Sequence, residues 1–414
     1  MRVSPELSKV VTDPTAYRDG RVEAVFSQLR QESPLAVVKA DGFNPFWAVT
    51  RYEDILEVER RAEDFTNGGL PVTLTEESSK SGDSMIRTLI QMDGAEHRAF
   101  RQLTQAWFMP QNLKKLEGRV REIACKSIDR MEELGGECDF ARDIALFFPL
   151  RIIMEILGIP EKDEPMMLRL TQEMFGAQDE EFSRSGAGAS KPKSSANIMA
   201  VVNDLVAYFT AIFEDRKKNP RDDVSSVVAN GMVDGRPIGF AEAMGYYVIT
   251  ATAGHDTTSN TLAASMWTAA ENPELFSALK KDPSQIPAFI EESVRLLSPV
   301  RHFMRTASCD TELAGQKIAK GDWLMLCFSS GNRDVGAFNS PNDFDLERKP
   351  NRHVAFGAGP HMCIGQHLAR LELKIFWEEL LKRVESVELA GKPILTAATF
   401  VGGPKNVPIR YSMK

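Results

Sequence analysis

One short segment constrains this chain more than any other, the ten-residue run FGAGPHMCIG from Phe356 to Gly365. Its glycines, at 357, 359 and 365, carry no Cβ, so the backbone can approach something flat and bulky. Cys363 stands just before a predicted helix, whose free N–H groups and positive dipole end favour a thiolate. A thiolate is a soft ligand that favours iron or copper over hard cations. The segment therefore predicts a turn that presents one thiolate to a metal.

The cysteine spacing narrows the kind of metal site. The chain has five cysteines, an odd number at wide spacing, and no second cysteine lies near Cys363. A tetrahedral zinc or iron–sulfur site is therefore not expected. A single protein thiolate suits a haem iron, because the in-plane ligands of that iron come from the macrocycle. The alternative is a buried structural cysteine in a turn. The five cysteines are Cys125, Cys138, Cys309, Cys327 and Cys363.

The bulk composition excludes several classes of protein. Of the 414 residues 43% are apolar, enough for a sizeable core, and length alone suggests about two or three domains. The net charge of −8 argues against a nucleic-acid binder. The odd, widely spaced cysteines are typical of a reducing compartment. The start of the chain has no apolar core of a signal peptide, and no apolar run is long enough for a membrane span. We therefore expect a cytoplasmic protein.

The pattern along the chain is mostly helical. Strand-like runs at 35–38 and 46–50 predict a small N-terminal sheet, and the polar stretch 66–91 predicts a loop. Helical periodicity then extends from 96 to 213, with breaks expected at Pro110, at Gly135-Gly136 and from Gly176 to Ser195. Within that last break, the Gly-, Ser- and Lys-rich run 186–193 predicts flexibility. A long helix is predicted from about Phe240 to Ala270.

The long helix carries a polar break in an apolar sequence. The run TATAGHDTT, from Thr250 to Thr258, places a glycine and four threonines in mid-helix, which lowers helix propensity. Threonine hydroxyls can bond the carbonyls of the preceding turn and loosen the helix. Asp256 beside Thr257 at such a break could relay protons to a bound ligand. The alternative is a kinked core helix in which Asp256 forms a salt bridge.

A third pattern is the charged pair Glu292 and Arg295. The i, i+3 spacing puts both side chains on one helix face, and the flanking residues are apolar. A solvated surface pair is the usual interpretation of this spacing. The apolar flanks instead predict a largely buried pair, which needs further hydrogen bonds.

Together these patterns resemble the cytochrome P450 family. The family's haem-loop pattern F-x-x-G-x-H-x-C-x-G is matched in full at 356–365, its A-G-x-D-T motif at 253–257 and its E-x-x-R motif at 292–295. The resemblance covers nearly the whole chain, and the tail FVGGPKNVPIR at 400–410 resembles the α-terpineol hydroxylase (terpene-oxidising) group of soluble bacterial members. It implies a mainly α fold with small β-sheets, in a single P450 domain over residues 1–414.

The resemblance also implies roles for individual residues. Cys363 would be the axial ligand of haem b (iron protoporphyrin IX). Asp256 and Thr257 would deliver protons to dioxygen, and Arg348 would join Glu292 and Arg295 in a structural charge triad. His255, in the open position of the motif, is interpreted as structural. The other implied cofactor contacts are His97, Arg101, Ala253, Gly254, Arg305, Phe356, Gly357, His361 and Gly365. The implied substrate contacts are Ile249, Ala253, Val300, Phe303, Phe400 and Val401.

The implied activity is that of a haem-thiolate monooxygenase. It would insert one atom of O₂ into a C–H bond of a small apolar substrate, a monoterpenoid or an alkyl-aromatic. Electrons would come from a [2Fe–2S] ferredoxin and its ferredoxin reductase, and we expect a monomer without nucleic acid or membrane anchor. One alternative is an H₂O₂-driven peroxygenase, which would not need the Asp256-Thr257 pair. The other is a non-catalytic haem-binding sensor, for which the chain offers no added sensor or output domain.

The sequence departs from the family pattern at one position. Separately, the implied electron donor predicts a docking face. Gly94-Ala95 stands where relatives commonly have Pro-Pro, which changes the rigidity before the predicted propionate helix. An acidic ferredoxin would require a local basic patch on the cysteine side of the haem. The candidates for that patch are Arg98, Lys114, Lys115, Arg370 and Lys374.

Overall fold

The computed structural model of this protein describes residues 2–68, 72–75, 86–184 and 195–414, with only the backbone described at 195–197. The predicted flexible run 186–193 and much of the predicted loop 66–91 lie outside these ranges. The helices are α1 (Pro5–Thr12), α2 (Pro14–Arg18), α3 (Arg21–Glu32), α4 (Tyr52–Arg60), α5 (Gly94–Gln105), α6 (Pro110–Leu113), α7 (Glu117–Leu134), α8 (Phe147–Leu157), α9 (Glu164–Phe175), α10 (Ser195–Lys218), α11 (Val224–Ala229), α12 (Phe240–Ala253), α13 (Asp256–Glu271), α14 (Pro273–Lys281), α15 (Ile286–Leu297), α16 (Phe328–Gly331) and α17 (Gln366–Arg383).

The strands are short and fall into small sheets. They are β1 (Leu35–Val38), β2 (Phe46–Val49), β3 (Phe65–Thr66), β4 (Glu137–Asp139), β5 (Met232–Val233), β6 (Arg236–Pro237), β7 (His302–Ala307), β8 (Thr311–Leu313), β9 (Gln316–Ile318), β10 (Trp323–Cys327), β11 (Val384–Leu389), β12 (Ile394–Leu395), β13 (Pro404–Asn406) and β14 (Pro408–Met413). The mainly α architecture with small sheets is the one predicted.

The predicted N-terminal strands pair as expected and extend into a larger sheet. β1 and β2 are antiparallel, with Leu35 opposite Val49. The full sheet has the order β1-β2-β10-β7-β3, in which β2 and β10 are parallel. Side chains alternate across it, so that Leu324 and Leu326 join one buried cluster while Met325 joins another on the opposite face. Both faces are therefore covered.

The helical breaks follow local chemistry. α6 begins at Pro110, where the missing N–H costs nothing. α7 ends at Gly135, whose φ of 75° is the left-handed conformation that closes a helix. The strand β4 follows within a segment predicted to be mostly helical. It forms because Asp139 pairs with Pro408 of β14, a contact between distant parts of the sequence.

The predicted long helix is two helices in line, α12 and α13. The break falls at Gly254 and His255. The hydrogen bond from the Gly254 N–H to the Thr250 carbonyl is long, at 3.4 Å, and the ψ angle of His255 is −73°. Around both helices lies the main apolar core, which also takes in Phe289 and Trp377. The break thus sits at the centre of the molecule.

Within the described ranges, no helix has the length and apolar character needed to cross a membrane.

Candidate active site

A cavity lies where the break between α12 and α13 faces the loop that precedes α17. Its volume, counted as the space open to the centres of water-sized molecules, is about 230 Å³. Apolar side chains from α12, from the turn before β7 and from the start of α17 form most of its wall. Every residue predicted to contact the cofactor lines it: His97, Arg101, Ala253, Gly254, Arg305, Phe356, Gly357, His361, Cys363 and Gly365.

Cys363 presents its sulfur to this cavity. Its N–H donates to the Phe356 carbonyl at 2.8 Å, which closes the loop, and α17 begins three residues later. The side chain has accessible surface, and that surface faces the cavity. Burial raises the pKa of the thiol, while the Gly365 N–H, Arg101 and Arg370 oppose the rise. The sulfur can therefore become a metal-bound thiolate inside an enclosed space.

Two glycines let the cysteine loop pack onto α4. Gly357 and Gly359 have φ values of 68° and 61°, which L side chains rarely adopt. A Cβ at Gly359 would lie 2.3 Å from the backbone carbonyl oxygen of Glu59. No side chain fits there, so the loop requires glycine.

Cationic side chains gather at one end of the cavity. The His97 and His361 rings lie 4.1 Å apart between centroids, and His361 Nε2 is 3.7 Å from Asp93 Oδ1. Arg101 Nη2 donates to the Met362 carbonyl at 2.7 Å. Burial, together with His361 and Arg101, lowers the pKa of His97 to about 4. With Arg305, these groups can bind carboxylates that enter the cavity.

The broken helix presents Thr257 to the cavity and turns Asp256 away from it. The Thr257 hydroxyl donates to the Ala253 carbonyl at 2.9 Å, which leaves its oxygen free to accept a hydrogen bond. Asp256 lines a separate, smaller cavity beside Ser259, and its Oδ2 has no hydrogen-bond partner. Burial raises the pKa of Asp256, and His255 opposes that rise. The two residues are adjacent in sequence, but Thr257 faces the main cavity and Asp256 the smaller one.

His255 is fully buried and holds the break in place. Its Nδ1 is 2.7 Å from the Thr171 hydroxyl of α9, and its Nε2 is 2.8 Å from the Leu146 carbonyl. Gly254 is also fixed by packing, since a Cβ there would lie 2.4 Å from Cδ1 of Ile153. His255 and Gly254 thus hold the broken helix against the neighbouring segments of the chain.

Glu292, Arg295 and Arg348, the residues of the predicted charge triad, lie in one hydrogen-bonded network. Arg295 makes paired bonds to Glu292 at 2.7 and 2.8 Å and donates to the carbonyls of Asn332, Pro341 and Asp343. Arg348 Nε joins Glu292 Oε1 at 2.9 Å. The Glu292 and Arg295 side chains are fully buried. This network fixes the chain between α15 and the cysteine loop.

The predicted substrate contacts divide into two groups. Ile249, Ala253, Val300 and Phe303 line the main cavity. Phe400 lies outside that lining, with its ring centroid 5.2 Å from that of Phe303, and Val401 pairs with Val300 and lines the smaller cavity. The tail therefore supports the wall from behind.

Several residues that line the cavity were not predicted from the sequence. Leu89 and Ile90 belong to a short 3-10 helix within the predicted loop, and Tyr246 comes from α12. Two buried acids, Glu59 and Glu372, also line the cavity. Only the apolar pair Leu89-Ile90, set in a polar stretch, offered a sequence signal.

The residues present fit a haem. An enclosed thiol faces a mainly apolar space whose wall also carries basic side chains for carboxylates, and left-handed glycines bring the loop close to that space. Cys363 would hold the iron, and His97, Arg101, Arg305 and His361 would hold the propionates. No other described feature of the chain combines these properties.

Comparisons with known proteins agree with this geometry. The profile described as Cytochrome P450 matches residues 14–406. Cytochrome P450-terp of Pseudomonas sp is 42% identical, over 99% of this chain and 98% of the relative. Linalool 8-monooxygenase of Pseudomonas putida is 30% identical, over 96% of this chain and 97% of the relative.

Solved structures give the same result. The crystal structure of CYP108D1 from Novosphingobium aromaticivorans has a TM-score of 0.92 and 42% identity, and covers 100% of both chains. Cytochrome P450 CYP268A2 of Mycobacterium marinum, solved in complex with pseudoionone, has a TM-score of 0.86 and 29% identity, over 94% of this chain and 95% of the other.

Proposed function

Because the chain belongs to the cytochrome P450 family and is a haem-binding monooxygenase, we propose that it hydroxylates a small apolar molecule, a monoterpenoid or an alkyl-aromatic. We propose further that a [2Fe–2S] ferredoxin supplies the electrons. The observation that carries the substrate proposal is the apolar wall formed by Ile249, Val300 and Phe303 beside the thiol. Two similar proteins bear names that point the same way, a linalool monooxygenase and a cytochrome P450 solved with pseudoionone.

Two hydroxyl groups of the wall, those of Tyr246 and Thr250, already donate to backbone carbonyls. The Tyr246 hydroxyl donates to the Phe100 carbonyl at 2.7 Å, and the Thr250 hydroxyl donates to the Tyr246 carbonyl at 2.8 Å. Burial raises the pKa of Tyr246 to about 12, so it stays neutral. Neither group offers a free donor to a charged or sugar-like ligand, whose desolvation would go uncompensated. An apolar molecule loses nothing there.

Bound haem supplies the dioxygen chemistry, in which O₂, two electrons and two protons convert a C–H bond to C–OH and release water. The protein's own contribution is ligand, pocket and proton path. Thr257, at the cavity face, can accept and pass a proton through its hydroxyl oxygen. Asp256, with its pKa raised by burial, can hold a proton on the other side of the same helix turn.

The peroxygenase remains the second candidate. Peroxide already carries the reduced oxygen and its protons, so a peroxygenase would gain little from an acid held next to Thr257. Oδ2 of buried Asp256 makes no hydrogen bond and lies 3.5 Å from His255 Nδ1, so this carboxyl is costly to maintain without a use. This cost favours the electron-driven reaction.

The test is a binding screen read from the spin-state change of the haem spectrum. A monoterpenoid alcohol and an alkylbenzene should give larger shifts than a fatty acid or a sugar. Phe303→Ala should weaken binding of the apolar probes by about 10-fold or more, since burying a phenylalanine is worth about 1.5–3 kcal/mol. Phe240→Ala, the same change at an exposed position outside the lining, is the matched control. A tighter response to a charged compound would refute the substrate class.

A further inference from the structure

Glu59 is a buried acid that none of the family motifs includes. It lies near the end of α4, and its side chain is 2% exposed. A Cβ at Gly357 would lie 3.5 Å from both of its carboxylate oxygens, so the cysteine loop packs directly against the acid. Glu59 lines the cavity at the same end as the cationic groups.

The carboxylate joins two parts of the haem site. Oε1 accepts a hydrogen bond from Arg305 Nη2 at 3.1 Å, and Oε2 accepts one from the Ala358 N–H in the cysteine loop. Arg305 is 4% exposed, and its other hydrogen bond goes to the Met304 carbonyl. Glu59 thus pairs with this guanidinium in the structure.

A haem carboxylate at Arg305 would place two carboxylates on one buried cation. Like charges that share a site raise the pKa of at least one of them, and burial strengthens the effect. The Glu59 carboxylate cannot turn to solvent, because α4 and the loop enclose it. We propose that Glu59 and a haem carboxylate share Arg305, and that Glu59 takes up one proton from solvent when haem binds.

The electrostatics of the ligand-free site support this proposal. Burial raises the pKa of Glu59 to about 7, while Arg305 and the Ala358 N–H oppose the rise. A second carboxylate at Arg305 raises it further. Above pH 7 the free protein holds Glu59 ionised and the complex holds it protonated, so affinity falls as pH rises through this window. One coupled proton gives up to about a tenfold loss per pH unit.

Other groups face the same space and must be separated from Glu59. His97 and His361 have lowered pKa values, so both are neutral above pH 7, while Arg101 and Arg305 remain charged. Asp93 beside His361 has a lowered pKa and stays ionised. Cys363, Glu372 and Tyr246 have raised pKa values and line the cavity too. Cys363, Glu372 and Tyr246 are not among the groups that would bind ligand carboxylates. His97 and His361 are, and a bound carboxylate raises their pKa values too, so variants are needed to separate them from Glu59.

Metal-free protoporphyrin IX is therefore the probe, because it leaves the thiol without a metal. Its affinity for the haem-depleted full chain is measured between pH 6.5 and about pH 9, beside that of its dimethyl ester. The parent should bind the free acid progressively more weakly above pH 7, with uptake of about one proton seen by calorimetry in buffers of different ionisation enthalpy. The ester should show neither effect.

Two variants test whether Glu59 is the group that takes up the proton. Glu59→Gln, neutral at every pH, should remove both the slope and the proton uptake for the free acid. Glu57→Gln on the same helix, whose exposed carboxylate pairs with Arg61 at 2.7 Å, should keep both. A slope retained in Glu59→Gln, or equal proton uptake for acid and ester in the parent, would overturn the proposal. If Glu59→Gln does not fold, His97→Gln and His361→Gln decide. Proton uptake lost in either of them would assign the proton to a histidine and overturn the proposal, whereas uptake kept in both supports Glu59. Either result leaves the monooxygenase assignment intact.

Discussion

Asp256 and Thr257 are neighbours in the chain, yet their side chains line different cavities. Both residues lie in the first turn of α13, directly after the break at Gly254 and His255. This placement makes the two residues separable by mutation.

If the proposed relay operates, Thr257→Ala should keep haem and the substrate-induced spectral shift but divert electrons to peroxide, because it removes the hydroxyl at the cavity face. Asp256→Asn should slow turnover by on the order of 10²-fold, since it removes the proposed acid of the relay. Product formed per electron consumed, measured beside peroxide yield, checks both expectations. Thr268→Ala breaks the same kind of bond to the carbonyl four residues earlier on α13 and should leave both values unchanged. Parent-like coupling and rate in both Thr257→Ala and Asp256→Asn would eliminate the relay.

Residues whose type and spacing together form a motif could be singled out from the sequence, and the predicted cofactor contacts line one cavity. A thiolate ligand at Cys363 would need its glycines at set spacings, so type and position carry the information together. Glu59 carries no such mark, because an isolated glutamate on an amphipathic helix has the pattern of a solvated residue. Only the approach of the cysteine loop, some 300 residues away in the chain, makes it a buried acid.

At the scale of elements, the charge triad ties α15 to the segment that leads into the cysteine loop. Arg295 uses its planar donors on a carboxylate and three carbonyls at once. Lysine cannot reproduce that arrangement, because its ammonium is a single point charge with fewer donors. The triad therefore depends on the shape of the guanidinium and not on its charge alone.

Arg295→Lys should destabilise the haem-loaded protein by about 3–5 kcal/mol, the usual cost of breaking a buried pair. Urea unfolding and the haem content of purified protein measure the effect. Arg130→Lys, at an exposed pair with Glu133, is the matched control and should change stability by less than about 1 kcal/mol. Equal stability of parent and Arg295→Lys would show that the triad does not hold the fold.

Elements with strong local signals were predicted well, and those made by distant contacts were not. The strands β1 and β2, the proline start of α6 and the glycine end of α7 follow from local propensity. The strand β4 was missed because its partner is β14 at the end of the chain. The break in the long helix could be predicted from its polar run. The contacts that hold it, Ile153 against Gly254 and Thr171 with His255, come from other helices and could not.

At the scale of the whole molecule, the proposed ferredoxin would need a locally basic face on this acidic protein. Arg98, Lys114, Lys115 and Lys374 are exposed on elements around the cysteine loop. Arg370 is not free for such a role, because it bonds Glu291 at 2.6 and 2.9 Å and lies 4.5 Å over the Phe356 ring. Lys374 contacts Glu378 at 3.4 Å, but its side chain is 50% exposed, so the proposed patch keeps the exposed members.

The double variant Arg98→Glu, Lys374→Glu should slow ferredoxin-dependent turnover at low salt and weaken its dependence on ionic strength, because it removes charge attraction at the docking face. The substrate-induced spectral shift should not change. Lys317→Glu, at an exposed lysine of β9, is the matched control. Equal rates in the double variant and the parent at low salt would place docking on another face.

The most direct measurement of all is the absorption spectrum of the reduced protein with carbon monoxide. The parent should show the strongly red-shifted Soret band of thiolate-ligated haem. Cys363→His should lose that band, because an imidazole replaces the thiolate, while Cys309→Ser, at an exposed cysteine outside the cavity, should keep it. A red-shifted band that persists in Cys363→His would contradict the assignment of Cys363 as the ligand and, with it, the haem-thiolate chemistry.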